Sequence, residues 1–418
     1  MKTIENYNVK IYTDNIEDSA CEQIKELLSI DVFSKCKIRI MPDVHAGAGC
    51  VIGFTGDLGD KVIPNIVGVD IGCGILVQPF VCTGNIDYHA LNEFILHYIP
   101  SGRNYRDNRY APLPHLYMDV YREAKDIIKQ LRCYRELKET NASIGSLGGG
   151  NHFIELDKDE CGMTYLVVHT GSRNLGKQVA QIYQKLAVKC QSGWAELMEE
   201  QNRRIAEYKA AGRKDELQDA IRQLHNSFKM RKPTIPPDLS YLEGAYREDY
   251  LHDMRLCQHW AKMNRSLIAN LIMDYFICQG NVELKQNELA FESVHNYIGD
   301  DNIIRKGAIA AYEGQKCIIP LNMRDGSLIC IGKGNADWNC SAPHGAGRIM
   351  SRSQAFKSIS MDDYRASMLG IYSESLSEDT KDESPMVYKP KDEIIGNIRD
   401  TVSIVNVIKP IYNFKAAE

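Results

Sequence analysis

Strand-like apolar runs that end in a histidine beside a glycine-bearing turn recur four times along this chain. They are "GNHFIEL" (150–156), "VVHTGSRNLG" (167–176), "FESVHNYIG" (291–299) and "SAPHGAGRIMSR" (341–352). One histidine at a strand end is ordinarily a structural residue bonded to backbone. Four of them, with an aspartate and a cysteine in "VGVDIGCG" (67–74), point to metal and phosphate chemistry. The segments are far apart in sequence, so a shared site has to be assembled from remote stretches. That demands one body rather than a string of independent domains.

The rest of the chain is consistent with that demand. At 418 residues, 44% hydrophobic and 25% charged, it is long enough to bury a large core. Residues 37–77 are short apolar runs broken by glycines, the grammar of strands and tight turns. Segments 87–98 and 115–138 read as amphipathic helices, joined by the Arg-bearing loop "SGRNYRDNRYAPLP". Strands are expected at 152–156 and 164–169, then a helix opening near Gly176. Residues 194–231 are dense in Glu, Lys, Arg, Gln and Ala, which favours a solvated helical excursion ended by "KPTIPPDL". Leu251, Met254, Trp260, Leu267, Leu271 and Tyr275 then give a helical apolar face. Short strands resume to about residue 333, a helix is expected after His344, and "VSIVNVIKPIYNF" reads as a last strand. The expectation is an α+β fold, one catalytic body over 1–418 with a helical insertion at 194–245.

A formal net charge of -5 argues against binding nucleic acid by bulk charge, though not against a local basic groove. "MKTIENYNVKIYTDNIEDSA" holds no apolar stretch of signal-peptide length, and no run approaches the ~20 apolar residues of a membrane helix. The 13 cysteines include no C-x-x-C pair. Reduced thiols and a cytoplasmic setting are therefore expected.

Asp70 and Cys73 sit on one glycine-rich turn, where a carboxylate and a thiolate suit a borderline divalent metal and the sulfur can bridge two ions. With His152, His169 and His295 they make a five-ligand set, enough for the two-metal arrangement that recurs where phosphates are cleaved or joined. In "HGAGRIMSR", Gly345 and Gly347 allow close backbone approach. A helix starting there would offer N–H groups to a phosphate, and His344 could accept a phosphoryl or nucleotidyl group. Arg348 and Arg352 would then share one helix face.

Together "MPDVHAGAGCVIG", "VGVDIGCG", "SLGGGNHFIEL", "VVHTGSRNLG", "VHNYI", "RKGAIAA", "SAPHGAGRIMSR" and the terminal "KP" followed by Lys415 resemble the RtcB family of RNA-splicing ligases. The motifs fall in family order from about residue 40 onward, outside the insertion. The resemblance implies a GTP- and manganese-dependent ligase that joins an RNA 3'-phosphate or 2',3'-cyclic phosphate end to a 5'-hydroxyl end. His344 would be the guanylated residue. Asp70, Cys73, His152, His169 and His295 would hold two Mn²⁺ ions. Asn151, His152, Phe153, Ile154 and Glu155, then His295 and Asn296, would line the guanine nucleotide. Pro320, Leu321, Asn322, Met323 and Ser327, with His344, Gly345, Ala346, Gly347 and Lys415, would complete its site. Arg173 would grip an RNA phosphate. Archease, a small protein that promotes guanylylation in the family, is an implied partner.

Where the family turn reads P-G-S-M-G, this chain has "PLNMRDGS", which puts Leu321, Asn322 and the charge of Arg324 near the nucleotide. That implies a divergent branch. Two other readings compete: a dinuclear phosphodiesterase acting on cyclic-phosphate ends, which has no need of His344 as acceptor, and a non-catalytic RNA-end binder using Arg173 with Arg103, Arg106 and Arg109.

Overall fold

The computed structural model describes residues 1–4, 7–106, 113–139, 143–283 and 289–416. Arg109 lies outside them. The fold is α+β, built on two large sheets. The eight-stranded sheet runs in the order Val282–Glu283, Gly74–Cys82, Thr164–Thr170, Phe153–Lys158, Val402–Lys415, Gly326–Gly332, Lys316–Asn322, with Phe291–Val294 also paired to Gly74–Cys82. All its neighbours are antiparallel. The six-stranded sheet runs Lys2–Ile4, Val9–Ile11, Ile38–His45, Ile52–Gly56, Ile304–Lys306, Tyr297–Ile298. A two-stranded ribbon, Ala308–Ala310 with Ser341–Pro343, leads directly into His344.

Period-two alternation assigns the faces of the large sheet. Ile154, Leu156, Leu166 and Val168 enter the main core, while Phe153, Val167 and Ile75 belong to a second cluster on the opposite face. Strand Thr164–Thr170 is buried along its whole length, which explains its unbroken apolar sequence. The helix Gly244–Cys278 covers the main-core face. Its expected apolar positions Leu251, Met254, Trp260, Leu267 and Leu271 are buried, and Tyr275 is half-buried. Truncating a side chain as enclosed as Trp260 to alanine costs about 3–5 kcal/mol.

The expected 194–245 insertion divides in two. Helices Trp194–Ala210 and Leu217–Ser227 project from the body, burying little beyond Leu197, Ala220 and Leu224. Their stem closes where the Arg231 N–H donates to the Ser192 carbonyl at 2.9 Å. Beyond it, Leu239 and Leu242 rejoin the main core, and Leu242–Glu243 pairs with Lys61–Val62.

Several local expectations are corrected. The 115–138 segment forms a helix only over Met118–Gln130, with short 3-10 turns at each side. The helix expected near Gly176 opens at Arg173. No helix starts at His344: the chain crosses 344–351 without regular structure, and Arg352–Ser358 begins after a Ser351 capping box. Gly347 explains the delay. Its φ is +74°, and a Cβ there would collide with the Asp43 carbonyl, so the loop lies flat on the neighbouring strand. Arg348 is therefore not on a helix with Arg352. No helix among the described residues is long and apolar enough to cross a membrane.

Candidate active site

The five expected ligands arrive from four separate segments. Asp70 and Cys73 come from the turn before Gly74–Cys82, His152 from the residue before Phe153–Lys158, His169 from Thr164–Thr170, and His295 from the turn after Phe291–Val294. Their donor atoms converge in two groups sharing one sulfur: Asp70, Cys73 and His152, and Cys73, His169 and His295, with the donor atoms of each within 4.8 Å of one another. Cys73 Sγ lies 3.4 Å from both His152 Nε2 and His169 Nε2. His152 Nε2 is 3.1 Å from Asp70 Oδ2, and His169 Nε2 is 3.0 Å from His295 Nε2.

Backbone contacts fix two of the imidazoles. His152 Nδ1 faces the Leu147 carbonyl at 2.9 Å and His169 Nδ1 faces the Asn151 carbonyl at 3.0 Å. A carbonyl only accepts, so both Nδ1 atoms carry the hydrogen and both Nε2 lone pairs point inward. Burial first, then neighbouring histidines, holds His169 and His295 well below the ordinary histidine range, in the neutral ligating form. The result is a knot of a carboxylate, a thiol and imidazole lone pairs with too few protons between them. His295 Nδ1 is buried without a hydrogen-bond partner among the described residues. This donor set fits a pair of divalent cations with a shared thiolate. Burial and the Asp70 charge push the Cys73 thiol up, an effect that a coordinated cation reverses.

His344 stands beside this cluster, its ring centroid 4.7 Å from that of His295. Its Nδ1 is 2.7 Å from Asp43 Oδ2, which also accepts the His344 backbone N–H at 3.1 Å. Asp43 is fully buried on Ile38–His45. A carboxylate on Nδ1 orients the ring and leaves Nε2 with its lone pair, the arrangement of an activated imidazole. The adjacent His45 is held below its ordinary value, chiefly by burial, with Nδ1 on the Asp43 carbonyl at 3.0 Å.

A cleft of about 700 Å³ opens from His344. Of the expected nucleotide residues, Asn151, Phe153, Glu155, Pro320, Leu321, Asn322, Met323, Ser327, Gly345, Ala346, Gly347 and Lys415 line it, with His169 at its base. Ile154 does not: alternation sends its side chain into the main core. His152 and His295 belong to the ligand knot. Asn296, at φ +116°, braces that knot by donating to the Asp70 carbonyl at 3.2 Å and accepting from Gly307 N at 3.0 Å. The Arg324 charge is matched by Asp325 at 2.9 Å, and Arg324 does not line the cleft.

Lys415 is no solvated tail charge. It ends strand Val402–Lys415 opposite Phe153, buried, with Nζ 2.8 Å from Glu383 Oε2. Glu383 also accepts from Tyr388 Oη at 2.6 Å and Arg348 Nη1 at 3.2 Å. Burial alone would raise its carboxyl; the charges of Lys415 and Arg348 outweigh that and hold it at about 2. Burial likewise pushes up Glu155, which accepts from Asn413 Nδ2 at 2.6 Å.

Arg173 takes φ +58°, a strained value for a non-glycine residue, and donates from Nη2 to Gly102 O at 2.8 Å and from Nε to Ser146 Oγ at 3.3 Å. Gly148 leaves the space its guanidinium fills. Arg106 is a buried brace, bonded to the Tyr98 and Gly145 carbonyls at 2.7 and 3.0 Å, whereas Arg103 is exposed. Sequence reasoning gave no role to Asp43, Glu383 or Tyr388. A lone carboxylate in the apolar "IRIMPDVH" was a usable signal for Asp43. The acidic run "SEDTKDES" around Glu383 looks like solvated surface and offered none.

The family model described as "tRNA-splicing ligase RtcB" matches residues 23–416. An "RNA-splicing ligase RtcB" of Escherichia coli (strain K12) is 30% identical over 98% of this chain and 97% of its own length. Proteins named "tRNA-splicing ligase RtcB" are 25% identical in Aeropyrum pernix, over 92% of this chain and 89% of the relative, and in Thermococcus kodakarensis, over 94% and 89%.

Proposed function

Because this chain belongs to the RtcB family, we propose that it is an RNA ligase of tRNA splicing or RNA repair that joins a 3'-phosphate or 2',3'-cyclic phosphate end to a 5'-hydroxyl end. The observation that carries this reading is the His344–Asp43 pair at 2.7 Å beside the Asp70, Cys73, His152, His169 and His295 cluster.

In this mechanism His344 Nε2 attacks the α-phosphorus of GTP. The N–P bond forms as the bond to the bridging oxygen breaks, and pyrophosphate leaves. An oxygen of the RNA 3'-phosphate then takes the guanylyl group from His344. The 5'-hydroxyl finally attacks the RNA phosphorus, forming the phosphodiester and releasing GMP. A cyclic phosphate is first opened by water to the 3'-phosphate. Activation is needed because a bare phosphate has no good leaving group.

Asp43 keeps Nδ1 protonated and the ring aimed, and stabilises the positive charge that develops on it. The five-ligand cluster would hold two Mn²⁺ ions, which when bound supply charge stabilisation to phosphate oxygens. Glu155 offers a carboxylate to the N–H donors of guanine, and Asn151, Phe153, Ser327, the 320–323 turn, Gly345–Gly347 and Lys415 enclose the nucleotide. Arg173 keeps Nη1 uncommitted among the described residues, fit for an RNA phosphate. Thirteen unpaired cysteines suit a cytoplasmic setting.

Labelled GTP with Mn²⁺, with and without an archease, tests the reading. The wild type is expected to take up label and His344→Ala to take up none. Absence of label in the wild type would favour a metal phosphodiesterase instead.

A further inference from the structure

Helix Gly244–Cys278 carries two adjacent polar side chains, Asn264 and Arg265, that are as buried as the apolar Trp260, Leu267 and Ile268 around them. A buried amide and a buried guanidinium are costly unless their hydrogen bonds are made. Here they are. Asn264 Oδ1 accepts from the N–H groups of Gly145 at 2.7 Å and Ser146 at 3.2 Å, and Nδ2 donates to the carbonyls of Ser146 at 3.0 Å and Gly171 at 3.2 Å. Arg265 Nη1 donates to the carbonyls of Gly72 at 2.8 Å and Thr170 at 3.1 Å, while Nε and Nη2 face the Glu292 carboxylate at 3.4 Å.

These partners share a property. Gly72 lies between Asp70 and Cys73, and Thr170 and Gly171 follow His169. Ser146 precedes Leu147, whose carbonyl fixes His152. Glu292 shares a strand with the approach to His295, whose backbone N–H donates to the Cys73 carbonyl at 2.8 Å. Gly72 is also pressed onto the same helix, since a Cβ there would lie 2.8 Å from Gln258 Cα. One helix therefore bonds the backbone beside Asp70, Cys73 and His169, and reaches the segments carrying His152 and His295 through Ser146 and the Glu292 carboxylate.

We propose that Asn264 and Arg265 are positioning residues for the dinuclear metal centre, holding its ligand-bearing loops at coordination distance without touching the metal. The inference rests on reading the Asp70, Cys73, His152, His169 and His295 cluster as a metal site. Ligand geometry fixed by outer hydrogen bonds governs affinity, and losing such a bond typically weakens binding about 10–100-fold.

Cobalt(II) titration of the full chain tests this without turnover, because thiolate-to-cobalt charge transfer reports on Cys73. Asn264→Asp keeps the shape but removes the donors facing Ser146 and Gly171. Arg265→Lys keeps the charge but removes the fork. Both are expected to raise the cobalt dissociation constant about 10–100-fold, and Glu292→Gln to raise it less. Affinities of folded variants within about threefold of wild type, with only the apo thermal midpoint lowered, would make the pair core braces and overturn the proposal. If the first two variants do not fold, Glu292→Gln decides: a weakening beyond about threefold supports the proposal and a smaller one overturns it. A wild type without the charge-transfer band, or a Cys73→Ser variant that keeps it, removes the metal reading itself and the proposal with it.

Discussion

At the scale of single residues, the Asp43–His344 contact is the most exposed to test. Replacing Asp43 with asparagine leaves the volume but removes the charge that stabilises a cationic imidazole. GTP labelling of Asp43→Asn is expected to slow by about 10²–10⁴-fold, with an unchanged circular dichroism spectrum. Arg173→Lys should act on the RNA step, because it keeps the charge but removes the guanidinium fork that donates to Gly102 O and Ser146 Oγ. RNA joining should fall about 10²-fold while labelling of His344 in the absence of RNA falls far less, in single-turnover assays of both steps. Glu383 offers a pH test. Its folded value of about 2 lies below its ordinary 4.5, so its contribution to stability is complete above 4.5 and is lost as pH falls through about 2. Urea unfolding should show Glu383→Gln less stable than wild type at pH 7, and the gap should shrink steadily below pH 4.5. An equal gap at pH 7 and pH 3 would mean that charge pairing with Lys415 and Arg348 contributes nothing.

At the scale of elements, the projecting helices Trp194–Ala210 and Leu217–Ser227 should be separable, because their stem already meets at Ser192 and Arg231. Replacing 194–230 by a short Gly-Ser linker is expected to preserve cobalt binding and GTP labelling; loss of both would mean that the projection supports the body. Most elements here were legible from periodicity: the glycine-broken strands of 37–77, the buried run 164–170 and the long helix under Trp260 all follow from spacing and composition. The convergence of Asp70, Cys73, His152, His169 and His295 was legible too, because Asp, Cys and His beside turn glycines are informative without coordinates. Failures came where tertiary contact outranked local signal. The loop after His344 looks like a helix start, yet the approach of Gly347, at φ +74°, to the Asp43 carbonyl keeps it out of a helix. Lys415 is assigned to the nucleotide site by family resemblance alone, and the register that sets it opposite Phe153 has no local signal in the sequence. Glu383 is invisible in an acidic run, since only its partners, 32 and 35 residues distant, distinguish it from surface.

At the scale of the whole molecule, cations at the five-ligand cluster would add a further tie between segments already joined by the sheet and by helix Gly244–Cys278. Chelation should therefore lower the thermal midpoint, and added Mn²⁺ should raise it in a concentration-dependent way, by about 2.7 kcal/mol of stability at a hundredfold excess over the dissociation constant. A midpoint indifferent to chelator and to Mn²⁺ would argue against the centre. The strand Val402–Lys415 has a different consequence. It lies between Phe153–Lys158 and Gly326–Gly332, both of which leave the ribosome before it. During synthesis the eight-stranded sheet exists as two fragments with bare hydrogen-bonding edges, a state prone to pairing with other nascent chains. Newly made copies should lean on chaperones until that strand slots home, and any nonsense mutation upstream of Val402 should yield inclusion bodies rather than a weakened enzyme.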